Sequence, residues 1–132
     1  KNKLSQNKQA GARKKPERVE GTLSCELPKT LVKKNDIHIT SKRNFDCFQD
    51  TELDMLLKRT LDVKNIIICG VNTDTCVYGT TFGASNRGYN PIVIECCTGS
   101  MRGEDQHKTA LKIMSQSIAW VMKKEEILNK LN

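Results

Sequence analysis

Residues Asn65–Gly88, Asn-Ile-Ile-Ile-Cys-Gly-Val-Asn-Thr-Asp-Thr-Cys-Val-Tyr-Gly-Thr-Thr-Phe-Gly-Ala-Ser-Asn-Arg-Gly, hold the transition around which the chain is built. The β-branched run Ile66–Ile68 reads as a buried strand, and Gly70 closes it. Asn72, Thr73 and Asp74 then carry side-chain oxygens suited to capping a helix start. Val77, Thr80, Thr81 and Ala84 follow at helical spacing, and Gly88 sits where that helix should end. Cys76 therefore falls in the first turn of a helix, just past the carboxyl end of a strand. Backbone N–H groups unpaired by the helix, and the positive end of its dipole, make that a place for a nucleophilic sulfur. The pattern is that of a nucleophile elbow with sulfur in place of oxygen.

Working outward, the same alternation of strand and helix continues. Pro91 opens a strand through Ile92-Val93-Ile94, the position in a strand that proline tolerates. Glu104 or Asp105 starts a helix with His107, Ala110, Leu111 and Met114 on one face. Ile118–Met122 reads as a short last strand, and Glu125–Leu131 as a helix with Ile127, Leu128 and Leu131 inward. Upstream, Asp50 or Thr51 caps a helix whose Leu53, Leu56 and Leu57 share a face. Before it come a loop, Ser41–Gln49, and an alternating strand, Asp36–Thr40. Gly21–Leu31 holds a helical turn, and Lys1–Glu20 has no period at all. Strands separated by helices of this size predict an α/β fold with a parallel sheet and right-handed crossovers. Ligands bind such sheets at the carboxyl ends of the strands, where Cys76 and the loop bearing Lys42 both lie.

The totals narrow the class. The chain of 132 residues is long enough for one domain with a core. Mean hydropathy is −0.53 and no apolar run reaches membrane-spanning length. The six cysteines show neither a CxxC pair nor zinc-ligand spacing, and no secretory signal precedes them. A reducing, cytoplasmic compartment is the expectation. Of the net charge of +7, residues Lys1–Glu20 carry +5. No aromatic residue interleaves this block, which reads as a solvated basic arm over residues 1–18 and not as a nucleic-acid module.

Two segments carry a family likeness. Lys42-Arg43-Asn44-Phe45-Asp46-Cys47-Phe48, followed by Asp50-Thr51-Glu52-Leu53-Asp54, resembles the lysine loop of the isochorismatase-like cysteine hydrolases. Gly70-Val71-Asn72-Thr73-Asp74-Thr75-Cys76-Val77, with Thr80, Ala84 and Gly88-Tyr89, is similar to their nucleophile motif. Val19-Glu20-Gly21-Thr22 resembles the segment ahead of the lysine loop in amidase branches, and Ala119-Trp120-Val121 with Glu125-Glu126-Ile127-Leu128 the last strand and helix. The resemblance implies a three-layer α/β/α fold of Rossmann type with a mostly parallel sheet, of which residues 19–132 form the carboxyl-terminal portion. It implies Cys76 as nucleophile, forming a covalent intermediate that water resolves, and Lys42 as the charge that supports it. It also implies a cis peptide between Val71 and Asn72, with the Asn72 and Cys76 N–H groups serving as oxyanion hole. Phe48, Thr75 and Tyr78 are candidates for the substrate pocket.

One element of the family pattern has no counterpart. Its Asp stands at the end of a first strand, in an Asp-Met-Gln-like motif, and the metal ligands of metal-binding members come from the same part. No cofactor or metal is therefore expected, and the chain reads as lacking the amino-terminal strands. Asp46 and Asp74 are the nearby carboxylates that could replace the acid. His38 and His107 invite a Cys–His dyad, although both positions read more simply as structural. The leading expectation is hydrolysis of a small non-peptide amide or ureido C–N bond through a Cys76 thioester. The alternatives are a non-catalytic subunit that assembles with a partner and an isochorismatase-type vinyl-ether hydrolase. Homo-oligomerisation is expected from the resemblance.

Overall fold

The computed structural model describes residues 21–23 and 26–131, so the proposed basic arm and Cys25 lie outside the described residues. These residues fall into two parts, divided between His38 and Ile39. The first consists of turns. Leu31 N–H donates to Pro28 O (2.9 Å) and Asp36 N–H to Lys33 O (3.1 Å). The Asp36 carboxylate in return accepts from Lys33 N–H at 2.8 Å.

The second part contains the sheet. Helix α1 (Leu53–Met55) runs directly into a π-type turn, Leu56–Thr60. Strand β1 (Asn65–Val71), a second π-type turn (Thr73–Val77) and helix α2 (Tyr78–Asn86) follow. Next come β2 (Asn90–Gly99), α3 (Glu104–Ser117), β3 (Trp120–Met122) and α4 (Lys124–Leu131). The strands stand in the order β1-β2-β3, all parallel, with α2 and α3 as the crossovers. Together they form a small three-layer α/β/α arrangement.

Burial follows the pleat. Ile68 of β1 and Val93 of β2 are Cα partners, and both join Val77, Ala84, Ala110, Leu111 and Met114 in the core. Neighbouring strand residues face opposite sides. Ile94, next to Val93, is buried outside that cluster, as is Ile127 of α4, the helix that packs on β2. Helix α2 ends as Gly88 predicts. Gly88 takes φ +82°, its N–H donates to Ser85 O (3.0 Å), and Tyr89 N–H reaches Ala84 O (3.1 Å). That pair of bonds is a Schellman closure, which needs a left-handed residue at Gly88.

Three expectations need correction. Asp36–Thr40 forms no strand, and Ile37 is 60% exposed. Among the described residues no strand pairs with this segment, so its alternation has no ladder to join. In α4 only Ile127 is buried, while Leu128 and Leu131 are 46% and 67% exposed. The helix is short and its main neighbour is β2, so one apolar residue is all that contact covers. Phe48 belongs to the core. It is 4% exposed, its ring stacks on Tyr89 at 5.6 Å, and the Arg87 guanidinium lies 4.9 Å above it. The Tyr89 hydroxyl in turn donates to Asp54 Oδ1 at 2.9 Å, and burial with that carboxylate pushes its pKa up to about 12.

Candidate active site

The Cys76 turn grows out of the end of β1. Gly70 takes φ +126°, which a residue with a Cβ rarely adopts, and the peptide between Val71 and Asn72 is cis. The strand runs one residue past Gly70, to Val71. Asn72 O then accepts from both Thr75 N–H and Val77 N–H, each at 3.1 Å. The second of these spans five residues, so the chain enters α2 through a π-type turn that carries a half-buried Cys76.

The expected caps do not form. No side chain caps this turn or α2. Asn72, Thr73 and Asp74 all face the segment that follows β2. Asn72 Oδ1 accepts from Met101 N–H (2.9 Å), and Thr73 Oγ1 shares a 2.8 Å hydrogen bond with His107 Nδ1 of α3. Asp74 accepts from Ser100 Oγ at 2.6 Å and pairs with Arg102 Nη1 at 2.7 Å. Thr73 is wholly buried, which makes its His107 bond a fixed strut. His107 thus serves the turn through Thr73, and the exposed His38 belongs to the other part of the chain.

Burial alone would push the Asp74 carboxyl up, but the bonds from Ser100 and Arg102 outweigh it and hold the group below the ordinary carboxylate range. A depressed carboxylate contributes stability above its unfolded-state pKa, and that contribution is lost as pH falls through the folded value. Asp74→Asn is therefore expected to cost about 1–2 kcal/mol at neutral pH, the scale of a charge-assisted bond. It should also flatten the loss of stability on the acid side. Thermal melts between neutrality and acid pH check this, and an unchanged acid limb in the variant would contradict it.

The lysine loop reaches the same region through α2. Cys47 N–H donates to Thr80 Oγ1 (3.2 Å), whose hydroxyl donates to Phe45 O (3.3 Å). Asp46 pairs with Arg87 at 3.3 Å and caps its own turn by accepting from Phe48 N–H at 2.9 Å. Gly83 is the close-contact point, since a Cβ there would lie 2.6 Å from Asp46 Cγ and Oδ1, whereas at Gly79 it would meet Asp46 N and Phe45 Cβ at 3.4 Å. The loop is thus seated on the Gly79–Thr80–Gly83–Arg87 face of the helix that begins just after the Cys76 turn.

Lys42 is exposed, and among the described residues its ammonium makes no hydrogen bond or ion pair. Its charge does act on Cys47. Burial pushes that thiol up, Thr80 and Lys42 pull against it, and the net shift is upward. No hydrogen bond joins Lys42 to Cys76. Both candidate acids are engaged elsewhere, Asp46 by Arg87 and Asp74 by Ser100 and Arg102. Thr75 is half-buried on the turn, and Tyr78 packs beside the core and stacks on Phe82 at 6.5 Å. Two open clefts border the sheet. One of about 360 Å³ lies between Ser85 and Trp120, and one of about 400 Å³ is lined by Glu95, Cys96, His107 and Lys123 among others. Neither is lined by Cys76 or Lys42.

The residues that sequence reading passed over are Ser100 and Arg102. Their only signal was a polar pair ahead of the acidic start of α3, in the stretch left unassigned between the expected strand and helix.

With cis peptide, cysteine turn and docked lysine loop in place, the family model described as the isochorismatase domain matches residues 2–126. The chain belongs to the isochorismatase family. The uncharacterized isochorismatase family protein YecD of Escherichia coli O157:H7 is 33% identical over 97 residues, covering 74% of this chain and 50% of its own length. Among solved structures, an isochorismatase-like hydrolase from Alkaliphilus metalliredigens is 26% identical with a TM-score of 0.81. That match covers 89% of this chain and 63% of the other. A nicotinamidase from Staphylococcus aureus is 35% identical with a TM-score of 0.59, over 62% of this chain and 50% of that one. The chain spans about half the length of the curated relatives it matches. Among the described residues no helix is long and apolar enough to cross a membrane.

Proposed function

We propose that this isochorismatase-family chain belongs to a hydrolase of small non-peptide amide or ureido C–N bonds, with Cys76 as nucleophile. The observation that carries the reading is the Cys76 turn, set at the carboxyl end of β1 and braced by Asn72, Thr73 and Asp74 against the segment after β2. Cys76 Sγ attacks the substrate carbonyl, and the oxygen takes the negative charge opposite the Asn72 and Cys76 N–H groups. The C–N bond breaks, the amine leaves with a proton, and a thioester remains on Cys76. Water then adds to the thioester and releases the acid and the thiol. Lys42, on the loop seated against α2, supplies positive charge to this sequence. The proton that Cys76 gives up passes to the departing nitrogen, and among the described residues Asp46 and Asp74 are both engaged elsewhere, by Arg87 and by Ser100 and Arg102. The same reading makes the substrate a small molecule and the enzyme a homo-oligomer. Five free thiols among the described residues favour a reducing, cytoplasmic setting.

Nicotinamide is the first substrate to test, because a nicotinamidase is among the similar structures. Ammonia release from nicotinamide and from a simple N-carbamoyl amine should exceed the buffer rate, and Lys42→Ala should reduce it by about 10²-fold or more. Release that is unaffected by Lys42→Ala, or absent with both substrates in a chain that melts cooperatively, would contradict the reading. A second reading, a subunit completed by a partner, is favoured by Ile67 and Val71 of β1, both of which stand exposed. Sedimentation with a turnover assay separates the two: a species made of this chain alone that turns over substrate removes the second reading. A vinyl-ether hydrolase of the isochorismatase type ranks lower, because its chemistry does not require the cysteine.

A further inference from the structure

A second group of thiols lies where β1 and β2 fall out of register. Ile68 pairs with Val93 but Gly70 pairs with Thr98, so residues 94–97 of β2 lie against Cys69 alone. Cys69 and Cys97 each stand one residue before the Gly70–Thr98 pair, on adjacent strands at the register break. Neighbouring strands stand about 4.8 Å apart, inside the Cα separation of about 4.4–6.8 Å that a disulfide spans. Cys97 lies close enough to Cys69 to push its thiol up, and the Cys97 Sγ lies 4.0 Å from that of Cys96. All three side chains belong to exposed residues. The proposed hydrolysis at Cys76 uses none of them.

We propose that Cys69 and Cys97 form a dithiol site that reacts with a low-molecular-weight disulfide such as oxidised glutathione, closing a cross-strand bond between β1 and β2. The Cys97 thiolate attacks one sulfur of the small disulfide, whose S–S bond breaks. One small thiolate leaves and takes up the proton that Cys97 gave to solvent. The Cys69 thiolate then attacks Cys97 Sγ and expels the second small thiol. Two protein thiols are oxidised and one small disulfide is reduced to two thiols, so atoms and electrons balance. Cys96 remains a thiol, because a bond between adjacent residues closes a small ring that strains the planar trans peptide. The closed form ties β1 to β2 ahead of the cis peptide and the Cys76 turn, so oxidation stiffens the strand end that carries the turn.

Burial and the neighbouring Cys97 push the Cys69 thiol up. Partial desolvation beside its neighbours, with Cys97 and the charge of Glu125, does the same for the exposed Cys96. Ring closure through Cys69 should therefore quicken as pH rises into the alkaline range.

The test is peptide mapping of the full chain after exposure to oxidised glutathione at about pH 8.5, with free thiols blocked and no reductant added. The expected result is a chain lighter by two hydrogen atoms and a linked peptide joining Cys69 to Cys97. The link should vanish in Cys97→Ser and persist in Cys96→Ser. Mapping of the unsubstituted chain decides the matter even where a variant folds poorly. A Cys96–Cys97 link, a link between two chains, glutathione adducts without closure, or no modification would each overturn the proposal.

Discussion

Cys76→Ala is expected to lower kcat/KM for nicotinamide by about three orders of magnitude or more, while moving the melting transition little. A thioester route has no first step without Sγ, and what survives is the smaller contribution of substrate binding and oxyanion stabilisation. The turn itself does not depend on the thiol. Its shape is set by the two bonds to Asn72 O and by the struts from Thr73, Asp74 and Asn72 to the segment after β2. Loss of one half-buried sulfur should cost about 1 kcal/mol. A structural cysteine would give the opposite pattern, a lower melting point with turnover kept. Cys76→Ser sharpens the contrast, since a hydroxyl fills the same space but is a far weaker nucleophile at neutral pH.

Gly83→Ala is expected to destabilise the fold by about 2–3 kcal/mol and to reduce turnover with it. A Cβ on this buried glycine would stand 2.6 Å from both Cγ and Oδ1 of Asp46. That carboxylate cannot swing away freely. It is held by Arg87 at 3.3 Å and by Phe48 N–H at 2.9 Å, and Arg87 is itself fixed on Gly83 O at 2.9 Å. Overpacking of this kind costs about 1–3 kcal/mol and broken charge-assisted bonds a similar amount, against about 1 kcal/mol gained in helix propensity. The seat of the lysine loop shifts, and Lys42 with it. Gly79→Ala is the control, because its Cβ would meet the same loop at 3.4 Å, an ordinary contact. Denaturant melts and turnover of both variants check this, and equal stability of the two would contradict it.

What the sequence revealed was governed by local signals. The β-branched run of β1, the glycine closure of α2 and the apolar face of α3 are each specified by neighbours a few residues away, and each occurs, although β1, read as buried, buries Ile68 alone and leaves Ile67 44% exposed. The side chains after β1 were legible as hydrogen-bonding oxygens but not in their direction. Asn72, Thr73 and Asp74 look like caps because caps are local, whereas their partners Met101, His107 and Ser100 lie far along the chain. Phe48 stayed open between pocket lining and core packing for the same reason. Nothing near it in sequence announces Tyr89 and Arg87, which enclose its ring. Asp36–Thr40 has the alternation of a strand, yet a strand exists only through its partner. The cis peptide between Val71 and Asn72 follows from the family motif and from nothing in composition or period.

The central claim, that Cys76 is the reactive sulfur, is tested most directly by site-resolved labelling of the six cysteines with chloroacetamide at neutral pH. Exposure alone ranks Cys69, Cys96 and Cys97 ahead of the half-buried Cys76. A nucleophile set in the turn after β1 reverses that order, with Cys76 labelled about ten times faster than Cys25, Cys47 or the exposed three. Labelling of Cys76 at or below the rate of Cys47 would contradict the account.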